Sequence, residues 1–156
     1  MQLQVQTESP LTPDALALIK GSEAALREAY TADECFSFSP SELAQRNVQF
    51  LVARGEGQPL GCVALVDLGS YAEIKRLYVT PEARGLGVAQ ALMQAAERAA
   101  GDLGLAIVRL ETGDKLSAAV GLYRQIGYAE RDAFGEYEPL DCSLFMEKRL
   151  FEPVTL

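Results

Sequence analysis

The sequence predicts a single domain of mixed α/β or α+β class, and three observations carry that reading. Its 156 residues are enough for one hydrophobic core without staples. Between residues 48 and 80 three strand-like apolar runs follow one another, separated by glycine-rich turns and ended by Pro81. Downstream, two amphipathic helical stretches alternate with a buried strand and two closing strands. The order is helices, a β-meander, then β-α-β-α-β-β. No repeat, low-complexity stretch or linker interrupts the chain, so one domain spans 1–156.

Each element has a local reason. LQVQTE (3–8) alternates and reads as a short first strand. In TPDALALIKGSEAALREAY (12–30), Thr12 is placed to cap a helix with Pro13 at its first position. Leu16, Ile19, Leu26 and Tyr30 fall at helical spacing, and Gly21 is expected to split the stretch in two. Ser39 and Glu42 read as a capping box opening a short helix. VQFLVARGEGQPLGCVALVDLG (48–69) is a hairpin around Gly-Glu-Gly-Gln-Pro, and YAEIKRLYVT (71–80) is the third strand. The next helix carries Val88, Leu92, Ala95, Ala96, Ala99 and Leu103 on one face, with a frayed end at Gly101 and Gly104. LAIVRLET (105–112) reads as a buried strand. SAAVGLYRQIG (117–127) is a second amphipathic helix, with Gly127 as its C-cap. Strands near 128–134 and 142–150 close the chain around GEYEPLD.

Composition narrows the function. Hydrophobic residues are 49% and charged residues 23%, the balance of a globular protein. No apolar run approaches the roughly 18–20 residues of a membrane span. MQLQVQTESP lacks the basic-then-apolar pattern of a signal peptide, so the expected location is the cytoplasm. A net charge of −8 disfavours nucleic-acid binding. The chain has no histidine and no CxxC pair among its three cysteines. That argues against a metal site or a disulfide framework and excludes Ser-His and Cys-His nucleophiles.

PEARGLGVAQALM (81–93) carries the chemistry. Two glycines, Gly85 and Gly87, stand beside Arg84 where a helix begins. The first N–H groups of a helix lack partners within it, and the dipole adds positive charge there. Glycines let such a backbone approach a ligand, and Arg84 adds a charged donor. The local physics describes a phosphate cradle. A tight turn that binds nothing is the plainer alternative. The pattern lacks the third glycine of a Rossmann fingerprint and the Gly-Lys-Ser/Thr of a P-loop.

Arg84-Gly85-Leu86-Gly87-Val88-Ala89 matches the R/Q-x-x-G-x-G/A motif of the GNAT superfamily of N-acetyltransferases. RLYVTPEARGLGVAQALM resembles that family's strand-turn-helix block. LETGDKLSAAVGLYRQIGYAE (110–130) resembles its second block, and FGEYEPLDCSLFMEKRL the end of a subgroup of small bacterial members. The three blocks occur in order and cover about residues 48–150.

The resemblance implies a mostly antiparallel sheet flanked by helices and splayed at an acetyl-CoA site. It implies transfer of an acetyl group from acetyl-CoA to a small-molecule amine, with no metal and no acetyl-enzyme. Backbone amides from Arg84 through Gly85, Leu86, Gly87 and Val88 to Ala89 would hold the pyrophosphate. Leu77, Tyr78 and Val79 would pair with the pantetheine arm, and the Val79 N–H would stabilise the oxyanion. Tyr123 matches the family tyrosine near the CoA sulfur, a phenol of pKa about 10 able to protonate a thiolate. Its alternative is a core aromatic beside Leu122 and Ile126. Leu116 stands where the family often has an asparagine contacting CoA.

Without histidine, the amine's proton falls to a carboxylate or to water. Glu73 is the first candidate and Glu111 the second; each could instead be an ordinary paired surface acid. On an ideal strand Glu73, Lys75, Leu77 and Val79 share one face, and a bulge between Glu73 and Leu77 would change that register. Tyr30, Phe36, Phe38, Phe134 and Tyr137 could line the acceptor pocket or form a satellite apolar cluster. Lys75 and Arg76 could meet an acceptor carboxylate or sit in solvent. LFEPVTL (150–156), a short apolar tail, hints at a homodimer. The alternative function is a CoA-binding sensor without transferase activity.

Overall fold

The structure, a computed structural model, describes residues 2–30 and 40–152. Seven strands form one sheet in the order β1-β2-β3-β4-β5-β7-β6. They are β1 (Leu3–Thr7), β2 (Val48–Gly55), β3 (Gln58–Asp67), β4 (Ala72–Val79), β5 (Ile107–Gly113), β6 (Ala129–Arg131) and β7 (Ser143–Arg149). Neighbours are antiparallel except β4 and β5. Among the described residues four α-helices flank the sheet: α1 (Pro13–Ala29), α2 (Pro40–Leu43), α3 (Val88–Asp102) and α4 (Ser117–Gln125). Among the described residues no helix is long and apolar enough to cross a membrane.

The meander forms because its turns suit its strands. The β2–β3 turn is two residues, Glu56 and Gly57, at φ 52° and 81°. A turn left-handed at both positions has the twist that antiparallel strands need. One face of the sheet is covered by α3 and α4, over Leu51, Val63, Leu65, Ile74, Val108 and Leu110. The other is covered by α1 and α2, over Phe50, Val52, Cys62 and Ala64.

α1 begins as expected, with the Thr12 hydroxyl accepting the Ala15 N–H at 3.1 Å and Pro13 opening the helix. It does not split at Gly21 but runs unbroken to Ala29. Gly21 serves packing instead: a Cβ there would lie 2.8 Å from the Tyr78 hydroxyl. The helix tolerates glycine, at a cost of about 1 kcal/mol, because the missing side chain lets α1 approach β4. Of the expected capping box, Glu42 lies in α2 and Ser39 lies outside the described residues.

The end of α3 is ordered, not frayed. Gly104 is left-handed at φ 77°, its N–H meets Gly101 O at 2.9 Å, and Leu105 N–H meets Ala100 O at 3.0 Å. This is a Schellman cap. It turns the chain so that Leu103 is 45% exposed rather than on the core face, and Met93 and Ala100 are buried in its place. α4 ends the same way: Gly127 is at φ 107° and donates to Arg124 O, and Tyr128 N–H donates to Tyr123 O at 2.9 Å.

The feature that positions the site is a bulge in β4. Ala64 pairs with Lys75 and Cys62 with Tyr78, so two residues, Arg76 and Leu77, oppose Val63. Arg76 is left-handed at φ 60°. Before the bulge Leu68 N–H bonds to Tyr71 O, and alternation then assigns the backbone groups of Glu73 and Lys75 to β3. Beyond it Thr80 N–H bonds to Leu60 O at 2.9 Å, which assigns Tyr78 to β3 and turns Val79 away from it. The extra residue has inverted the alternation. Side chains switch too: Ile74 packs in the α3-side core, and Tyr78, four residues on, packs in the α1-side core.

Candidate active site

β4 and β5 pair in parallel only from Ala72/Val108 to Ile74/Leu110. Past that point the strands part. The opening continues into a cleft of about 710 Å³ bounded by β4, β5, α1, α4 and the turn into α3. The N–H and C=O groups of Val79, turned from β3 by the bulge, face this open side.

At one end lies the Arg84–Ala89 turn. Gly85 and Gly87 take φ of 79° and 81°, and Gly87 caps α3. A Cβ on either would meet nothing within 4 Å, so the glycines answer a backbone requirement. Among the described residues no backbone carbonyl accepts the N–H groups of Gly85, Gly87, Val88, Ala89 or Gln90, and all five residues line the cleft. Arg84 lines it too. Leu86 does not; its side chain is turned to solvent.

Glu111, Leu116 and Tyr123 also line the cleft. Burial pushes the Glu111 carboxyl up to about 7; Ser143 and Lys75 pull it back in part, and Glu73 pushes it further up. Burial also holds the Tyr123 phenol well above its ordinary value, and the Glu111 charge adds to this. The phenol is therefore a donor at any physiological pH, and its match to a thiol is poorer than the unperturbed value implied. The Schellman cap of α4 orients Tyr123, because Tyr128 packs edge-on against it with ring centroids 5.9 Å apart.

Glu73 is buried behind this wall and does not line the cleft. It accepts a hydrogen bond from the Tyr137 hydroxyl and pairs with Lys75 at 3.4 Å. Lys75 donates to the same hydroxyl, and both Lys75 and Tyr137 reach the cleft. The Arg76 guanidinium is not in solvent: it binds Ser22 Oγ at 2.9 Å and Glu23 at 3.1 Å, both on α1.

Of the aromatics, Tyr30 and Tyr137 line the cleft. Phe134 belongs to a satellite cluster with Tyr71, Tyr137 and Phe145. Phe36 and Phe38 lie outside the described residues. The Tyr30 hydroxyl donates to Asp114 and accepts the Lys115 N–H; burial, then Asp114, pushes the phenol up to about 12. Ser22, Gly113 and Lys115 are cleft residues that the sequence reading passed over. Gly113 had a signal, since a glycine closing a strand marks close approach of another group.

The profile of the Acetyltransferase (GNAT) family matches residues 17–128. The chain belongs to the GNAT acetyltransferase family. IAA acetyltransferase from Azospirillum brasilense is 38% identical over 148 residues, covering 94% of this chain and 97% of that protein. A solved Klebsiella pneumoniae structure, provisionally described as an acyl-CoA N-acyltransferase, superposes with a TM-score of 0.81. It is 32% identical and covers 96% of this chain and 99% of its own. The PaiA N-acetyltransferase of Thermoplasma acidophilum, solved with coenzyme A, shares the GNAT fold at a TM-score of 0.77. It is 21% identical, with coverage of 96% and 99%.

Proposed function

We propose that this protein transfers an acetyl group from acetyl-CoA to the amine of a small-molecule acceptor by direct attack. The observation that carries the reading is the placement of Glu111 and the freed Val79 N–H on one cleft whose far end is the glycine turn. The free amides of Gly85, Gly87, Val88 and Ala89 hold the CoA pyrophosphate; the Arg84 N–H is taken by Pro81 O, and Arg84 adds its side chain as a charged donor. Of Leu77, Tyr78 and Val79, the Tyr78 backbone is taken by β3, so the outward-turned Val79 backbone, with Leu77 beside it, meets the pantetheine arm, and Leu116 packs against the cofactor.

An ammonium is no nucleophile, so the acceptor must lose a proton. Glu111, poised near neutrality, takes it. Glu73 is too well covered to reach the amine, and its part is to hold Tyr137 and Lys75 in the acceptor wall. The attack yields a tetrahedral intermediate whose oxyanion accepts the Val79 N–H. Tyr123 donates a hydrogen bond to the departing thiolate. Its burial disfavours a lasting phenolate, so as the intermediate collapses the phenol passes its proton to the leaving thiolate and is restored by the proton that the new amide nitrogen gives up.

The test is a thermal melt with and without acetyl-CoA on wild type and Gly87→Glu, followed by thiol release across a panel of small amines. Saturation at about 100 times the dissociation constant adds ~2.7 kcal/mol, a rise of roughly 5–10 °C for a domain this size. The expected result is a rise in wild type, none in folded Gly87→Glu, and thiol release with at least one amine. No rise sinks the proposal. A rise without release from any amine leaves a CoA-binding sensor.

A further inference from the structure

Arg76 stands where a glycine would be at ease. It is the first of the two bulge residues opposite Val63, and its φ of 60° is left-handed. An arginine there is strained with no local return. Its side chain supplies the reason. Nη1 donates to Ser22 Oγ at 2.9 Å and Nη2 to Glu23 Oε1 at 3.1 Å, with the side chain only 4% exposed. The Ser22 hydroxyl already donates to Ile19 O at 2.8 Å, so it is oriented to accept. Next to Ser22, Gly21 lets α1 rest on the Tyr78 ring. Two successive stretches of β4, Arg76 and Tyr78, are thus fastened to three successive residues of α1. That helix gives Ser22 and Leu26, and its C-cap residue Tyr30, to the cleft wall.

We propose that Arg76 is a positioning residue for acetyl transfer, tying the α1 wall of the acceptor cleft to the bulge that turns the Val79 N–H inward. The inference rests on the N-acetyltransferase reading above. If α1 shifts relative to the bulge, acceptor and oxyanion donor lose their mutual alignment. Misplacement of about 1 Å can cost ~100-fold in rate. The cofactor's phosphates are held elsewhere, at the glycine turn, so their binding is spared.

The test compares wild type, Arg76→Gly, Glu23→Ala and the double variant. Arg76→Gly keeps the left-handed backbone and loses the ties; Glu23→Ala removes the acceptor of one tie from its partly exposed partner. Acetyl-CoA affinity and stoichiometry are read by calorimetry, and kcat is expressed per binding site with the best amine of the panel. The expected result is a kcat at least about tenfold lower in each single variant, with acetyl-CoA affinity within twofold of wild type. The double variant should be no slower than Arg76→Gly, because both changes break one linkage. A merely structural role would lower the melting temperature and leave kcat per site unchanged. That outcome, or independent multiplying losses, overturns the inference while leaving the acetyltransferase reading intact. Should Arg76→Gly fail to fold, Glu23→Ala at wild-type kcat overturns it alone. A wild type that binds acetyl-CoA but acetylates no amine overturns both.

Discussion

Tyr30 lies so close over Gly113 that a Cβ on that glycine would sit 2.3 Å from the tyrosine hydroxyl. The ring cannot easily yield, because its hydroxyl is held at 3.0 Å by Asp114 and by the Lys115 amide. Gly113→Ala should therefore cost about 1–3 kcal/mol, as overpacked sites do. Urea denaturation checks this. In a Tyr30→Leu background the same alanine should cost markedly less, because the obstructing hydroxyl is gone.

Gly57 and Gly87 share a φ of 81°, and a Cβ on either meets nothing within 4 Å. Alanine at either position should cost roughly 1–2 kcal/mol, the strain of a left-handed alanine. Only Gly87→Ala should also shrink the acetyl-CoA thermal shift. Equal ligand shifts in the two variants would contradict a phosphate cradle at the turn.

A base role for Glu111 would couple activity to stability. Its folded pKa of about 7 lies above the ordinary carboxylate value, so the native state binds its proton more tightly than the unfolded chain. The associated stability is fully present below about pH 4 and is lost as pH rises through 7. Glu111→Gln should thus be more stable than wild type at pH 8, by on the order of 3 kcal/mol, and show little difference at pH 4. Chemical denaturation at both pH values measures this. In the same variant the rise of kcat/KM with pH through about 7 should disappear.

Tyr123→Phe should lower kcat by roughly 10- to 100-fold, with acetyl-CoA affinity within twofold of wild type. Pre-steady-state thiol release, compared with calorimetric binding, separates the two. Loss of affinity with unchanged kcat would make the tyrosine a packing residue only.

Much of this architecture was legible in the sequence because its causes are local. The Glu56-Gly57 hairpin, the Thr12 cap and the Arg84–Gly87 turn each depend on residues a few positions apart. Gly21 was misread because propensity describes the helix alone, while the Tyr78 ring that gives the glycine its purpose is far along the chain. The same limit hid the Lys75–Tyr137–Glu73 chain and the approach of Tyr30 to Gly113, contacts made only when loops and helices meet over the sheet. The bulge could be bracketed but not placed, since its register is set by Val63 on the neighbouring strand. Glu111 could be named from its place at a strand end. Its poise near neutrality needed the burial around it.

The bulge gives β4 something like a reading frame. Every residue after Arg76 owes its phase to that one extra position. Substitutions along β4 change what is displayed, whereas removal of a single residue there would change which way everything displays. Leu77 and Val79 would turn from the α3-side core, Tyr78 would leave the α1-side core, and the Val79 amide would return to β3. Variation in the length of this strand should therefore be far more damaging than variation in its letters. Insertions are better tolerated in the 133–141 loop between β6 and β7, which no ladder holds in phase.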